Sequence, residues 1–321
     1  LVLVGILGVN PHIMGKLNLG IDFSGGRNYI IRFAEPVNTQ EVNAALDNVF
    51  MEAKSELADE ETFALNVITI GDANQVRVST NYRINDNSET LDDEIEALLY
   101  EGCKQFLPEN VTLKEFTSTD INPEIGIMQS QKVGPAIADD ITQSAVWAVL
   151  AALLGIFLYV LLRFRNFSFS VGALAGLAHN TLIVLGAYAL LWKVMPFSME
   201  IDQSFIAAIL TVIGYSINDT VVIFDRVREY TGLYPKRARK QNINDALNQT
   251  LSRTFSTSMS TLVVLIAIFC FGGETIRGFV FALIIGVVVG TYSSLCVATP
   301  LAYDIQEALD RRKAKKAALN K

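Results

Sequence analysis

The chain of 321 residues is rich in apolar side chains: 51% of its residues are hydrophobic, 18% are charged, and the formal net charge is −7. In soluble domains roughly a quarter of the residues are charged, so this composition favours a membrane protein. The acidic balance also argues against a nucleic-acid partner, which would require a basic patch.

Charge is distributed unevenly along the sequence. Residues 20–135 contain 21 acidic and 8 basic side chains, a net charge of −13, whereas the rest contains 12 acidic and 18 basic ones, a net charge of +6. This division predicts an acidic domain in water and a membrane part with basic flanks. The sequence has no Gly-x-x-x-x-Gly-Lys-Ser/Thr, His-Glu-x-x-His or Cys-x-x-Cys motif. We therefore expect no nucleotide, no metal or other cofactor, and no enzymatic activity.

The first 19 residues begin with an apolar run that ends at Asn10-Pro11 and is too short to span a bilayer. A signal peptide would require a basic start and a cleavage site of small residues, and neither is present. We expect residues 1–19 to be the end of a truncated first transmembrane helix with its juxtamembrane segment.

The periodicity of apolar residues then predicts an α+β domain at residues 20–135. Four β-rich segments predict strands at residues 29–33, 63–70, 75–80 and 111–116. Apolar residues at helical spacing predict helices at 38–50 and 90–106. The order βαββαβ is that of the ferredoxin-like arrangement, in which helices pack on one face of an antiparallel sheet.

Five apolar stretches follow within residues 136–303, each long enough to cross or nearly cross a hydrocarbon layer of ~30 Å. They lie at residues 141–162, 167–192, 205–224, 255–271 and 279–301. The basic residues gather after the first and third stretches, in a predicted loop at 226–252, and in a basic tail at 304–321. By the positive-inside rule these segments are cytoplasmic, so the acidic domain is expected on the extracytoplasmic side and the C-terminus inside.

Asp219 is the outstanding polar residue of the third apolar stretch. It lies seven residues, or ~10 Å, inside the end marked by Arg226. A carboxyl group at such a depth costs on the order of 3 kcal/mol, so it requires a functional or structural reason. Neighbouring polar residues form a stripe around it on the same helix, consisting of Tyr215, Ser216, Asn218 and Thr220.

The fourth stretch has a matching polar stripe that begins with a cation. Arg253 is followed at helical spacing by further hydroxyl residues, Ser256, Thr257, Ser260 and Thr261. Two spans joined by one loop run antiparallel, so we predict that Arg253 pairs with Asp219. A nearby guanidinium favours the ionised carboxylate and its withdrawal favours the protonated form, so the pair could load and release a proton. The alternatives are a static ion pair and an Arg253 that extends to the interface.

His179, in the middle of the second stretch, is a further candidate. An imidazole can relay protons. A single histidine is more often a packed, hydrogen-bonded side chain, so both interpretations stay open.

Several motifs resemble those of the SecD/SecF family. Residues 20–26, Gly-Ile-Asp-Phe-Ser-Gly-Gly, resemble its juxtamembrane motif, and the string at 213–226 is similar to the fourth-span motif of its SecF branch. Val133-Gly-Pro precedes the next span as in the family, and Ser252-Arg-Thr opens the fifth span of the family pattern. In the juxtamembrane motif the matching residues are Gly20, Asp22, Gly25 and Gly26. In the motif that precedes the next span they are Gly134 and Pro135.

The resemblance implies a member of the resistance-nodulation-division superfamily in the bacterial cytoplasmic (inner) membrane. It implies that the protein acts with SecD beside the SecYEG channel and contacts a translocating preprotein and membrane lipid. It also implies that the proton-motive force, and no nucleotide, drives this activity. Asp219 and Arg253 match the family's residues implicated in proton conduction. The family often has His-Asp where this chain has His179-Asn180, and an amide cannot titrate. The chain is also expected to be the SecF half of a fused SecD–SecF protein.

Two functions of other classes remain as alternatives. An exporter of small molecules or lipids from the same superfamily would require a hydrophobic substrate cavity and a larger external domain. A passive assembly scaffold would use the polar stripes to hold helices together.

Overall fold

The computed structural model describes residues 17–319, except 57–62, 64, 71, 87, 89, 193 and 196. Most of the predicted end of a first transmembrane helix, residues 1–16, lies outside the described residues. An α+β domain comes first along the chain and a bundle of long apolar helices follows it.

The α+β domain contains one four-stranded sheet. Its strands are β1 (Gly26–Arg32), β2 (Leu65–Thr69), β3 (Gln75–Thr80) and β4 (Gly126–Val133). They are ordered β2-β3-β1-β4, and every neighbouring pair is antiparallel. The helices are α1 (Ile21–Ser24), α2 (Thr39–Glu56), α3 (Leu91–Cys103) and α4 (Leu113–Thr117), and a 3₁₀ turn (Lys104–Phe106) follows α3. The predicted ferredoxin-like arrangement is confirmed.

The predicted closing strand at 111–116 is wrong, because that segment forms α4 and the closing strand is β4. Thr112 and Glu115 form a capping box, in which the Glu115 carboxylate accepts from the Thr112 backbone N–H at 2.7 Å, and this stabilises a helical turn. The strand β4 lies at the sheet edge and exposes four consecutive residues. Its sequence therefore lacks the alternation by which a half-buried strand is predicted.

The core of this domain lies between the sheet and the long helices α2 and α3. Val76 and Val78 of β3 are fully buried there, as are Leu46 and Phe50 of α2 and Leu99 of α3. Alternation along β3 leaves the opposite face of the sheet to polar residues. That face is turned towards the helix bundle.

Replacing Phe50 by alanine is expected to destabilise the α+β domain by about 3–5 kcal/mol. The ring is fully buried and packs against the rings of Phe63 and Tyr82, with centroids 5.9 and 5.2 Å away. Denaturant-dependent labelling of the buried Cys103 thiol, located by mass spectrometry, would measure domain opening. Met51→Ala is the matched control, because Met51 is 52% exposed and its loss is expected to change stability by about 0.5 kcal/mol or less.

Five helices of the described chain are long and apolar enough to cross a membrane, as predicted. The first four are α5 (Pro135–Phe164), α6 (Phe167–Leu191), α7 (Gln203–Leu233) and α8 (Arg239–Phe271). The fifth begins with α9 (Glu274–Ser293) and continues through a π-helical segment (Ser294–Ala298) into α10 (Thr299–Leu319).

The helices extend well beyond the predicted apolar stretches. Gly134 caps α5 and Pro135 occupies its first turn, where a missing N–H costs nothing. The predicted loop at 226–252 is mainly helical, and residues 234–238 alone join α7 to α8. The predicted basic tail continues α10 as a helix to Leu319. The ends of these helices consist of polar residues, which a search for apolar stretches does not include. Hydropathy therefore does not define where the helices begin and end.

Candidate functional site

Asp219 lies on the buried side of α7, with 5% of its surface exposed. Ser216 and Thr220, three residues before it and one after, are buried as well. The Tyr215 hydroxyl lies 3.2 Å from Oγ1 of Thr261 in α8, so it links α7 to that helix. Oδ2 of Asp219 has no hydrogen-bond partner in the described part of the chain. In water-poor surroundings such a carboxyl needs a neighbouring charge or a bound proton.

Hydroxyl groups of the fifth span meet α7 beside the carboxyl. Oγ of Ser294 lies 2.8 Å from Oγ1 of Thr220 and donates to the Ser216 carbonyl at 3.3 Å. Oγ1 of Thr299 donates to the Ser294 carbonyl at 2.9 Å, across the five-residue π-helical segment. Such insertions are frequent at functional sites. The segment therefore brings Ser294 into contact with α7 at the depth of Thr220.

The buried face of α8 adds further hydroxyl groups. Thr250, Thr254 and Ser258 recur every four residues and are all buried. Oγ of Ser258 lies 2.6 Å from Oγ1 of Thr291 in α9, and it is also close to the Asp219 carboxyl. Asp219 is thus enclosed by polar faces of α8 and α9. We give the name polar core to Asp219 with Ser216, Thr220, Thr254, Ser258, Thr291 and Ser294.

The predicted direct ion pair between Asp219 and Arg253 is absent among the described residues. Arg253 is exposed on α8, although it is near enough to act electrostatically on the carboxylate. It precedes Ser258 by five residues, or ~7.5 Å of helix, so it lies nearer the N-terminal end of α8 than the carboxyl does. The spacing in the sequence does not reveal this difference in depth.

Part of the predicted polar stripe lies on the outer surface of the bundle. Asn218, Ser256 and Ser260 are exposed, and Thr257 is half-buried. The Thr257 and Ser260 hydroxyls donate to backbone carbonyls of α8 at 2.9 and 2.8 Å, as hydroxyls in apolar helices commonly do. The buried hydroxyl residues Thr254 and Ser258 each follow a residue of the predicted stripe by one position, or about 100° of rotation. Thr261 is the residue of that stripe that does contact α7.

His179 and Asn180 extend the polar core into α6. Nδ1 of His179 lies 2.8 Å from Oγ of Ser293. Asn180 is fully buried, and neither polar atom of its amide has a partner in the part of the chain that the structure describes. A side chain at Gly290 would place its Cβ 2.9 Å from the Asn180 amide nitrogen and 3.2 Å from Oγ of Ser216. Glycine is therefore required for this approach, and the proton relay at His179 stays a prediction.

The motif at residues 20–26 lies away from the polar core, where the α+β domain meets the bundle. The Gly20 amide donates to the Ile201 carbonyl at 2.9 Å, and Oδ2 of Asp22 accepts from the Gln203 amide at 3.2 Å. Gly25 and Gly26 have φ angles of 70° and 150°, which disfavour other residues. The motif therefore attaches β1 to the loop that precedes α7.

Four residues of the polar core were not identified from the sequence: Thr254, Ser258, Thr291 and Ser294. The signals available were hydroxyl residues at four-residue spacing before the fourth apolar stretch, and a Thr-Tyr-Ser-Ser string inside the fifth. Across residues 17–319, gaps excepted, no group of three His, Cys, Asp or Glu side chains is placed to hold a metal ion.

Comparison with known families gives two matches. Residues 15–37 match the SecD/SecF GG motif, and residues 113–308 match the family of protein export membrane protein SecD/SecF, C-terminal. The first contains the glycines beside β1, and the second contains the whole polar core.

Individual relatives give the same result. The chain is 40% identical to protein translocase subunit SecF of Rhodothermus marinus over 291 residues, which is 90% of this chain and 84% of the relative. It is 35% identical to that subunit of Thermodesulfovibrio yellowstonii over 305 residues, or 94% of this chain and 88% of the relative. The crystal structure of SecDF, a translocon-associated membrane protein from Thermus thermophilus, superposes with a TM-score of 0.70 and 31% identity over 92% of this chain.

The chain spans about a third of that solved protein, since the match covers 35% of its length. A second structure, SecDF in a super-membrane-facing form, gives a TM-score of 0.58 and 32% identity over 95% of this chain and 36% of that one. The family matches, the relatives and the folds agree from the GG motif to the last span. This multi-pass membrane protein belongs to the SecD/SecF family.

Proposed function

We propose that this chain is a non-enzymatic accessory subunit of protein export, which acts with a SecD partner and uses the proton-motive force to promote movement of polypeptides across the cytoplasmic membrane. The similar proteins are translocase subunits, and the solved SecDF is described as translocon-associated. On this proposal the further partners are the SecYEG channel and the translocating preprotein.

One observation supports the proton-driven part of this proposal above all others. The carboxyl of Asp219 is 5% exposed within an apolar helix, and one of its oxygens lacks a partner among the described residues. A group of this kind can exchange a proton at low structural cost, because its neighbours, Ser258 and Thr220, are neutral hydroxyls that can donate or accept. Intramembrane carboxyl groups commonly mark ion paths.

Arg253 is proposed to regulate the charge of that carboxyl. Its side chain is exposed and forms no ion pair with Asp219, although it is near enough to act on that carboxylate electrostatically. An approach of the guanidinium towards the bundle would favour the ionised carboxylate, and its retreat would favour the protonated form. Motion of α8 relative to α7 would therefore be linked to proton uptake and release.

The proposed orientation places the α+β domain outside the cell and the C-terminus in the cytoplasm. Arg163 at the end of α5, Arg226 and Arg228 on α7, and the basic end of α10 all lie at the same end of the bundle. Basic residues favour the cytoplasmic side.

The exporter and scaffold alternatives predict different outcomes. A small-molecule exporter would show transport without a preprotein, and a scaffold would need the polar core for assembly but pass no protons. Vesicles that contain the chain and its SecD half test this directly. We expect a proton gradient to drive proton influx that Asp219→Asn reduces to the level of protein-free vesicles. Equal influx in the wild type and the variant would contradict the proposal.

A further inference from the structure

The loop between α6 and α7 joins the α+β domain to the membrane helices. Ile201 lies at its centre and forms an isolated parallel bridge with Leu19. Its amide donates to the Asn18 carbonyl at 2.8 Å, and its carbonyl accepts from the Gly20 amide at 2.9 Å. These main-chain bonds connect the segment before β1 with the outer ends of two spans.

A side-chain ion pair beside these bonds connects the sheet to the same loop. Arg77 lies on the face of β3 opposite Val76 and Val78, because successive strand residues point in opposite directions. One guanidinium nitrogen lies 3.0 Å from Oε2 of Glu200 and 3.3 Å from Oγ of Ser198. The side chains of Arg77 and Glu200 are 19% and 8% exposed, so this pair is largely removed from water.

Glu200 receives a second contact from the sheet. Nδ2 of Asn66 in β2 lies 3.4 Å from Oε1 of Glu200. Asn66 pairs with Ser79 across β2 and β3, so it shares a sheet face with Arg77. We call the contacts of Arg77 and Asn66 with the loop 198–202, together with Asp22, the domain joint.

Acidic groups outnumber the cation at the domain joint. Besides Glu200, it contains Asp22, which accepts from the amide at the start of α7, and Asp202, which caps α7 by accepting from the Phe205 amide at 2.8 Å. In the part of the joint that the structure describes, the Arg77 guanidinium is therefore accompanied by three carboxyl groups. Tyr188 of α6 adds a hydroxyl to the same surroundings but no charge at neutral pH.

Burial, with help from the neighbouring acids, raises the pKa of Glu200 above its usual range, although Arg77 acts in the opposite direction. Burial also raises the pKa of Asp202, and Asp22 adds to that effect. A group with a higher pKa in the closed joint than in water binds its proton more tightly in the closed joint. By linkage, closure is favoured as the pH falls through the raised pKa and weakened as the pH rises through it.

We propose that the domain joint takes up a proton when it closes, so that Arg77 and Glu200 position the α+β domain on the helix bundle in a pH-dependent way. This inference goes beyond the proton-coupled role of Asp219, because it concerns a separate site beside the N-terminal end of α7, whereas Asp219 lies at the centre of that helix. If that end faces the outside, the proton-rich compartment favours the closed joint.

Water can reach the proposed site of proton uptake. A cavity of about 80 Å³ lies between the sheet and the bundle and is lined by Arg77, Ser198, Glu200 and Asp202. A cavity needs ~10–15 Å³ to hold a water molecule, so this one has room for several. The polar groups of these four residues form part of its lining, and an ordered water molecule needs such groups as partners.

Hydrogen exchange of the full chain in membranes with its SecD half tests the inference. The amides of Gly20 and Ile201 are bonded across the joint, so their protection, corrected for intrinsic exchange, reports closure. In the wild type we expect protection to fall with rising pH, by at most about tenfold per pH unit for one proton. Glu200→Gln removes the titrating group, and we expect high protection to persist at the pH at which the wild type has opened.

Three further variants separate this effect from general damage. Arg77→Gln should lower protection at every pH and Arg77→Lys should restore part of it. Glu109→Gln alters an exposed acid elsewhere in the domain and should match the wild type. Protection of β1 and β3 would show that each variant is folded.

A wild-type pH slope that persists in Glu200→Gln, or no slope in the wild type, would overturn the inference. Asp219→Asn should leave the slope unchanged, which keeps this result distinct from the proposed function.

Discussion

Asp219→Asn is expected to abolish the part of protein translocation that depends on the proton-motive force. The amide has nearly the shape of the carboxyl but cannot titrate. The polar core would retain its packing and its bonds between α7, α8 and α9, while proton exchange at the centre of α7 would stop. Preprotein uptake into inverted vesicles that contain the chain, its SecD half and the SecYEG channel, measured with and without a proton gradient, would show the effect.

Asp225→Asn is the matched control for this result. Asp225 lies on the same helix, six residues further on, but it is half-exposed and forms an ion pair with Arg163 at 2.9 Å. Surface pairs of this kind contribute about 0–1 kcal/mol, so the variant should translocate normally. If Asp219→Asn kept the full response to the gradient, or if Asp225→Asn lost it equally, the polar core would not be the coupling site.

Arg253→Gln is expected to uncouple proton exchange from translocation. If the guanidinium approaches Asp219 during the cycle, its loss leaves the carboxyl without the cation that favours ionisation. Proton release should then become slow, so gradient-driven translocation should fall close to the level without a gradient. The measurement is the same vesicle assay, with proton release followed by a pH-sensitive dye.

Arg253→Lys distinguishes a role of charge from a role of packing. Lysine keeps the charge but not the planar fork of donors, so partial activity is expected. Ser256→Ala is a suitable structural control, because Ser256 lies three residues away on α8 and is exposed. Full activity in Arg253→Gln would show that Arg253 serves the membrane interface, which was the alternative interpretation of its position.

The domain architecture could be predicted from local patterns, with one strand as the exception. Val76 and Val78 alternate with polar residues, and Leu91, Ile95 and Leu99 recur at helical spacing, so β3 and α3 were predictable. The strand β4 was not, because an edge strand with four exposed residues lacks the pattern that burial imposes on sequence.

The polar core was predicted in part. Asp219 was identifiable because a carboxylate inside an apolar stretch is costly wherever the helices pack. Ser258 and Thr291 were not, since hydroxyls can bond to their own helix and therefore occur on any face. The predicted buried face of α8 was one residue away from its actual position. That difference was enough to assign Ser256 and Ser260 to the buried side, although both are exposed.

By itself, the sequence determined the five spans that follow the α+β domain, the order of strands and long helices in that domain apart from the position of the closing strand, and the one carboxyl in need of a partner. Each of these depends on the transfer of groups out of water, which acts residue by residue along the chain. Tertiary structure alone decided which helix faces meet, that Arg253 stands apart from Asp219, and that Arg77 reaches Glu200 across 123 residues. Those outcomes depend on the rotation and depth of packed helices and on the side of the sheet that meets the bundle, which no local pattern encodes.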